Sequence, residues 1–231
     1  GSAEPMFIGH FAPAFLARGI TEEAPKLGTL FIAAQLVDWA FFTFAIVGIE
    51  KLRIVPGMTA MNPLDLYHMP YTHSLSGTAA WAQGFAIVIW LFSRNAIAAT
   101  WGAIVVLSHW LLDLLAHGPD LTLAGGEEKF GLGLWNSPWI EMPLEIGITL
   151  AAFCFYIRRT KGPVVPPLIL LGTMLVFQAI NWFGPQPQEA GTGIYVTALL
   201  SFGILTALAF WVQSTRWHKS LVGLAVSGVR R

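Results

Sequence analysis

Charge is scarce in this chain. Lysine, arginine, aspartate and glutamate make up 11% of its 231 residues, against about a quarter in a soluble domain. That shortage is too large for an ordinary globular core. Basic and acidic residues are equal in number, so no net field favours nucleic acid or an acidic partner. Cysteine occurs once, as Cys154, which excludes an internal disulfide and a thiolate cluster. No repeat or low-complexity tract is present, and residues 6–231 read as a single membrane domain. Residues 1–5 read as a cloning remnant. The apolar stretch after Met6 has no basic region before it, so no cleavable signal is expected.

What is abundant is apolar length. Mean hydropathy is +0.62. A helix needs about 20 apolar residues to cross a bilayer core of roughly 30 Å. Six runs qualify: 27–49, 73–92, 95–116, 137–157, 164–183 and 193–212. Residues 6–20 are apolar but too few to span, which suggests a short re-entrant or interfacial helix. The expected fold is therefore all-α, a polytopic membrane helix bundle of about six transmembrane helices plus that N-terminal piece. Ser93-Arg94 is a tight turn between the second and third runs. Loops 50–72 and 118–136 are long and rich in proline or glycine, a pattern typical of lids and binding loops.

Lysine and arginine give an orientation. Arg18, Lys26, Arg94, Arg158, Arg159, Lys161, Arg216, Lys219, Arg230 and Arg231 fall on one side, and only Lys51, Arg53 and Lys129 on the other. The basic side should be cytoplasmic. The long loops then face outward, to the periplasm if the membrane is a bacterial inner membrane. Trp135 and Trp139 fit an interfacial aromatic belt at that mouth.

Ionisable side chains inside such segments are expensive and usually functional. His109, Asp113 and His117 stand at i, i+4 and i+8, within roughly 80° on a helix. His73 opens the second run. Glu141 and Glu145 start the fourth at the same outward depth, and Asp38 sits near the middle of the first. His68 lies five residues before His73. His10 can join only if its segment dips into the bilayer with its start facing outward. Each residue has a bland reading: a packing histidine, a capped acid, a carboxylate favouring a helix dipole. Eight of them in five segments at compatible depth do not. Imidazole with carboxylate is a ligand set for zinc or another first-row divalent ion. Several cations would offset four buried acids better than one. Ser74 has no nucleophile elbow or triad spacing to make it a nucleophile.

The ordered set Gly9-His10, Asp38, His68, Thr72-His73-Ser74 and Ser108-His109-x-x-x-Asp113 resembles the bacterial membrane-bound metal-dependent hydrolase family, small polytopic inner-membrane proteins. The match runs from residue 9 to about 145. The same order is similar to that of secreted zinc-dependent phospholipases C and the single-strand nucleases of their fold. That second resemblance implies up to three zinc ions. Asp38, His73, His109 and Asp113 would hold one. Asp113 would bridge to a second held by His10. His117, Glu141 and Glu145 would hold the third. Glu141 stands where the soluble enzymes have histidine, and the gap from Asp113 to His117 is shorter than theirs.

The resulting expectation is a membrane-embedded hydrolase using one to three zinc (or manganese) ions on a phosphoester of a lipid or lipid-linked substrate. The catalytic residues would be Asp38 and Asp113, with Asp38 also orienting the attacking water. The alternative is a transporter or channel for protons or divalent metal. The apolar cytoplasmic halves of the second to fourth runs favour a one-sided site instead. A b-type haem needs no carboxylates. A zinc amidase of the membrane ceramidase kind would need a late His-x-x-x-His pair that this chain lacks.

Overall fold

In the computed structural model, which describes residues 7–219, the chain is 66% helical and forms an all-α polytopic bundle with two small two-stranded sheets. Residues 1–5, Met6, Arg230 and Arg231 lie outside the described residues. The helices are α1 (Ala12–Ile20), α2 (Leu27–Ile46), α3 (Leu75–Ser93), α4 (Ala96–Ala116), α5 (Pro138–Arg159), α6 (Val165–Phe183) and α7 (Thr192–Ser214). The last six are long and apolar enough to cross a membrane, the architecture of a multi-pass membrane protein. Their ends fall within three residues of the apolar runs.

α2 is apolar on most of its circumference apart from Gln35 and Asp38, and it is the most buried of the six candidate spans, as its central position requires. It packs on α1, α3, α4 and α7. Gly28 makes the contact with α7 possible, because a Cβ there would collide with the Phe210 ring. α3 and α4 form the expected tight hairpin. Arg94 takes a left-handed conformation (φ 53°), and the Asn95 side chain accepts the Ile97 and Ala98 amides as the α4 cap. Ser74 caps α3 in the same way, accepting from Gly77 N and donating to Pro70 O. Its hydroxyl is thus used structurally, and His73 lies just ahead of the helix rather than within it.

The N-terminal segment is an enclosed element rather than an interfacial one. A 3-10 turn, Ile8–Phe11, runs into α1 inside the bundle, and all four turn residues are buried. α1 packs against α5 and α2. Its far end is held by Arg159 and His218, both bonded to Gly19 O, so the chain enters at His10 and runs toward the basic end. Loop 50–72 contains an antiparallel hairpin that the sequence pattern did not suggest, β1 (Lys51–Ile54) with β2 (Leu64–His68). At the basic end β3 (Thr160–Lys161) pairs with β4 (Trp217–His218). There the buried Arg216 donates to Gly162 O and Pro163 O.

Candidate metal centre

Four elements bring six of the proposed ligands together. The turn before α1 carries His10, α2 carries Asp38, the approach to α3 carries His73, and α4 with its C-cap carries His109, Asp113 and His117. All six are buried. Asp113 is central. Its Oδ2 lies 3.1 Å from His109 Nε2 and 3.5 Å from His73 Nε2. Its Oδ1 lies 3.0 Å from His10 Nε2 and 3.2 Å from His117 Nε2. Asp38 Oδ1 faces His73 Nε2 at 3.0 Å and His109 Nε2 at 3.3 Å. One carboxylate therefore looks two ways, toward an Asp38–His73–His109 set and toward a His10–His117 set.

The outward nitrogens of three rings are fixed by acceptors. His109 Nδ1 donates to Ala34 O at 2.8 Å. His117 Nδ1 donates to Asp120 Oδ1 at 2.8 Å. His73 Nδ1 meets Thr72 Oγ1 at 2.8 Å, and Thr72 Oγ1 donates to Glu50 Oε1 at 2.8 Å. A neutral imidazole protonated at Nδ1 presents a lone pair at Nε2. All three Nε2 atoms point at Asp38 or Asp113.

These contacts are close, yet most are not hydrogen bonds. Nε2 of His10, His109 and His117 and both Asp113 oxygens have no hydrogen-bond partner. Lone pairs and carboxylate oxygens at this separation repel unless a cation lies between them. Ligand bonds of about 2.0–2.1 Å turn a 3.0–3.2 Å chord into an angle of about 95–105°, which suits a shared ion. The His10 and His109 rings stack at 3.9 Å and 5°, which disfavours charge on both. Burial, followed by the neighbouring His109, holds His10 below its usual value. Burial opposes charge on His117 too, but Asp120 and Asp113 outweigh it and push that ring up to about 10. Those two acids call for positive charge at His117, as proton or as ion. The buried groups His10–His109–Asp113 and Asp38–His73–His109 could each hold a metal ion.

Two of the sequence readings change, those of His68 and Trp135. His68 is exposed on β2 and takes no part in the cluster; its ring lies near Tyr71. His117 Nε2 lies 3.2 Å from Asp113 Oδ1, while Glu141 has both carboxylate oxygens, and Glu145 one, buried without a hydrogen-bond partner. Neither metal-capable group among the described residues includes those two glutamates or His117, although all three are buried. Glu145 Oε1 accepts the Phe7 and Gly9 amides at 2.7 and 3.0 Å, so it holds the turn that carries His10. Trp135 is no belt residue: it is buried and covers the His117 ring at 4.1 Å. Trp139 is exposed, as a belt requires.

Glu50, Asp120, Gln35 and the inward role of Gln178 escaped the sequence reading. Asp120 had a signal, standing three residues after His117. Glu50 had none, as a lone acid after an apolar run. It is buried, with its carboxylate bonded to Tyr71 and Thr72. Burial pushes its carboxyl up, against hydrogen bonds from Thr72 and the charge of His73.

A cavity of about 390 Å³ opens between the two long loops, lined in part by Tyr67, His68, Asp120, Thr122 and Lys129. Asp120 belongs both to its wall and to His117, so cavity and cluster adjoin. No family model, curated protein or solved structure matches the chain.

Proposed function

We propose that the chain is a membrane-embedded hydrolase of the metal-dependent kind, acting on a phosphoester of a lipid or lipid-linked molecule. One observation carries the metal reading: the buried Nε2 atoms of His10, His109 and His117, the last two with their Nδ1 proton committed elsewhere, converge on Asp113 without hydrogen-bonding to it. Zinc is the ion best suited to this nitrogen and oxygen set, with manganese second. When bound, such ions make water nucleophilic near neutral pH and offset charge on phosphoryl oxygens.

The chain's own residues do the positioning. Asp113 keeps the two ligand sets in contact, and Asp38 is placed to accept a proton from an attacking water. Trp135 shields the His117 ring. The cavity beside Asp120 would take the headgroup, with Lys129 and His68 at its wall to meet the phosphate. The acyl chains would stay in the bilayer. The basic helix ends favour a cytoplasmic position, which puts the site on the periplasmic side of a bacterial inner membrane. The reading agrees with the resemblance to membrane-bound metal-dependent hydrolases, which rests on the ordered residues alone.

The test is metal content by plasma mass spectrometry on detergent-purified protein, paired with release of phosphorylated headgroup from mixed phospholipid micelles. Stoichiometric zinc or manganese with turnover is the expected result, and Asp113→Ala and His109→Ala should lose both. Protein purified without chelator that carries no metal and takes up none would refute the centre. Metal without turnover of any phospholipid or lipid-linked phosphate would refute the hydrolase.

A further inference from the structure

Glu50 stands outside every ligand set, yet it is 1% exposed and its carboxylate is fully engaged. Oε2 accepts the amides of Tyr71 and Thr72 at 3.0 and 3.3 Å. Oε1 accepts the Thr72 hydroxyl at 2.8 Å. A hydroxyl has one proton. With that proton committed to Glu50, Thr72 Oγ1 can only accept from His73 Nδ1, 2.8 Å away. His73 must then carry a proton on Nδ1, and in the neutral ring the Nε2 lone pair faces Asp113 Oδ2 and Asp38 Oδ1, the latter at 3.0 Å, where a proton on Nε2 would bond to Asp38 and an ion would replace that proton.

We propose that Glu50, acting through the Thr72 hydroxyl, is a positioning residue that sets the tautomer and ring orientation of His73 and so tunes the Asp38–His73–His109 set. This rests on the metal reading given above. The geometry is directional in a way that plain loop anchoring is not. Anchoring needs only the two backbone amides on Oε2. The hydroxyl relay adds a specific proton order along three residues, and that order is the one a metal-binding histidine needs. It also differs from the two neighbouring rings, which use the Ala34 carbonyl and the Asp120 carboxylate directly. A carboxylate behind a ligand makes the imidazole a stronger donor. Here the hydroxyl interposed between them moderates that effect.

The His73 backbone has independent supports. Its amide donates to Met69 O at 3.0 Å, and its carbonyl accepts Trp110 Nε1 at 3.1 Å. Thr72→Val can therefore remove the hydroxyl while the loop stays in place.

The experiment is a cobalt(II) titration of the detergent-purified full chain, read by visible absorption, with Glu50→Gln, Thr72→Val and Thr72→Ser beside the unmutated protein. The expected result is about 10–100-fold weaker cobalt binding and a shifted visible band in Glu50→Gln and Thr72→Val, with Thr72→Ser restoring both. Unchanged affinity and spectrum in Thr72→Val overturns the proposal. Equal loss in Thr72→Val and Thr72→Ser also overturns it, because packing rather than the hydroxyl would then be responsible. If Glu50→Gln does not fold, the threonine pair decides alone. An unmutated protein that binds no cobalt overturns the metal centre itself, and this inference with it.

Discussion

The six clustered side chains differ in how far the sequence exposed them. His109, Asp113 and His117 were legible because helical spacing alone puts them on one face. Asp38 and His73 were legible by cost, since a buried charge in an apolar segment needs a reason. His68 misled because proximity in sequence says nothing about which side of a strand a residue takes. In β2, Leu64 and Leu66 turn inward while Tyr67 and His68 face out. His68→Ala should therefore leave metal stoichiometry unchanged, and loss of an ion in that variant would place His68 in the centre after all. Asp120→Asn should weaken metal binding about 10–100-fold by disturbing His117, measured by competition with a chromogenic chelator. Protons compete with the ion for His117, which Asp120 and Asp113 push up to about 10, so affinity should fall as pH drops anywhere below that value. A pH-independent affinity between pH 5 and 8 would exclude imidazole ligation.

Among the elements, the turn Ile8–Phe11 depends most on its surroundings. A short turn cannot satisfy its own amides, and a buried orphan is costly. Glu145 takes the Phe7 and Gly9 amides, Gln178 takes the Ile8 amide at 3.1 Å, and Gln35 donates to Phe7 O at 3.3 Å. Three spans thus supply side chains to a segment too short to span. Gln178→Leu should cost about 1–3 kcal/mol by orphaning the Ile8 amide, and should loosen His10 while the Asp38–His73–His109 set keeps its ion. Thermal unfolding in detergent together with metal counting checks both parts. Gly28→Ala should force α7 off α2 and cost about 1–3 kcal/mol through overpacking. Unchanged thermal stability would mean that Phe210 has room to turn away.

Across the whole molecule, polarity is divided between two ends. The cluster, the β1–β2 hairpin and the cavity share one end. Arg158, Arg159 and the β3–β4 clasp occupy the other. Cys154 is exposed on α5, so a labelling background needs Cys154→Ser. In intact cells, Glu127→Cys should react with a membrane-impermeant maleimide, and Lys161→Cys should react only after permeabilisation. The reverse pattern would invert the assigned orientation.

The sequence by itself determined the class of structure, because the bilayer's thickness sets helix length and the cost of buried charge marks the polar residues. It also determined which α4 side chains share a face, since helical periodicity is local. Only the tertiary structure decided which ligands meet. Whether His10 reaches Asp113 and whether Glu50 stands behind His73 both depend on packing between segments. Those contacts join residues as far apart as Phe7 and Glu145, and no short-range pattern encodes such a distance. Periodicity places a side chain on a face, but the neighbouring helices decide what that face meets.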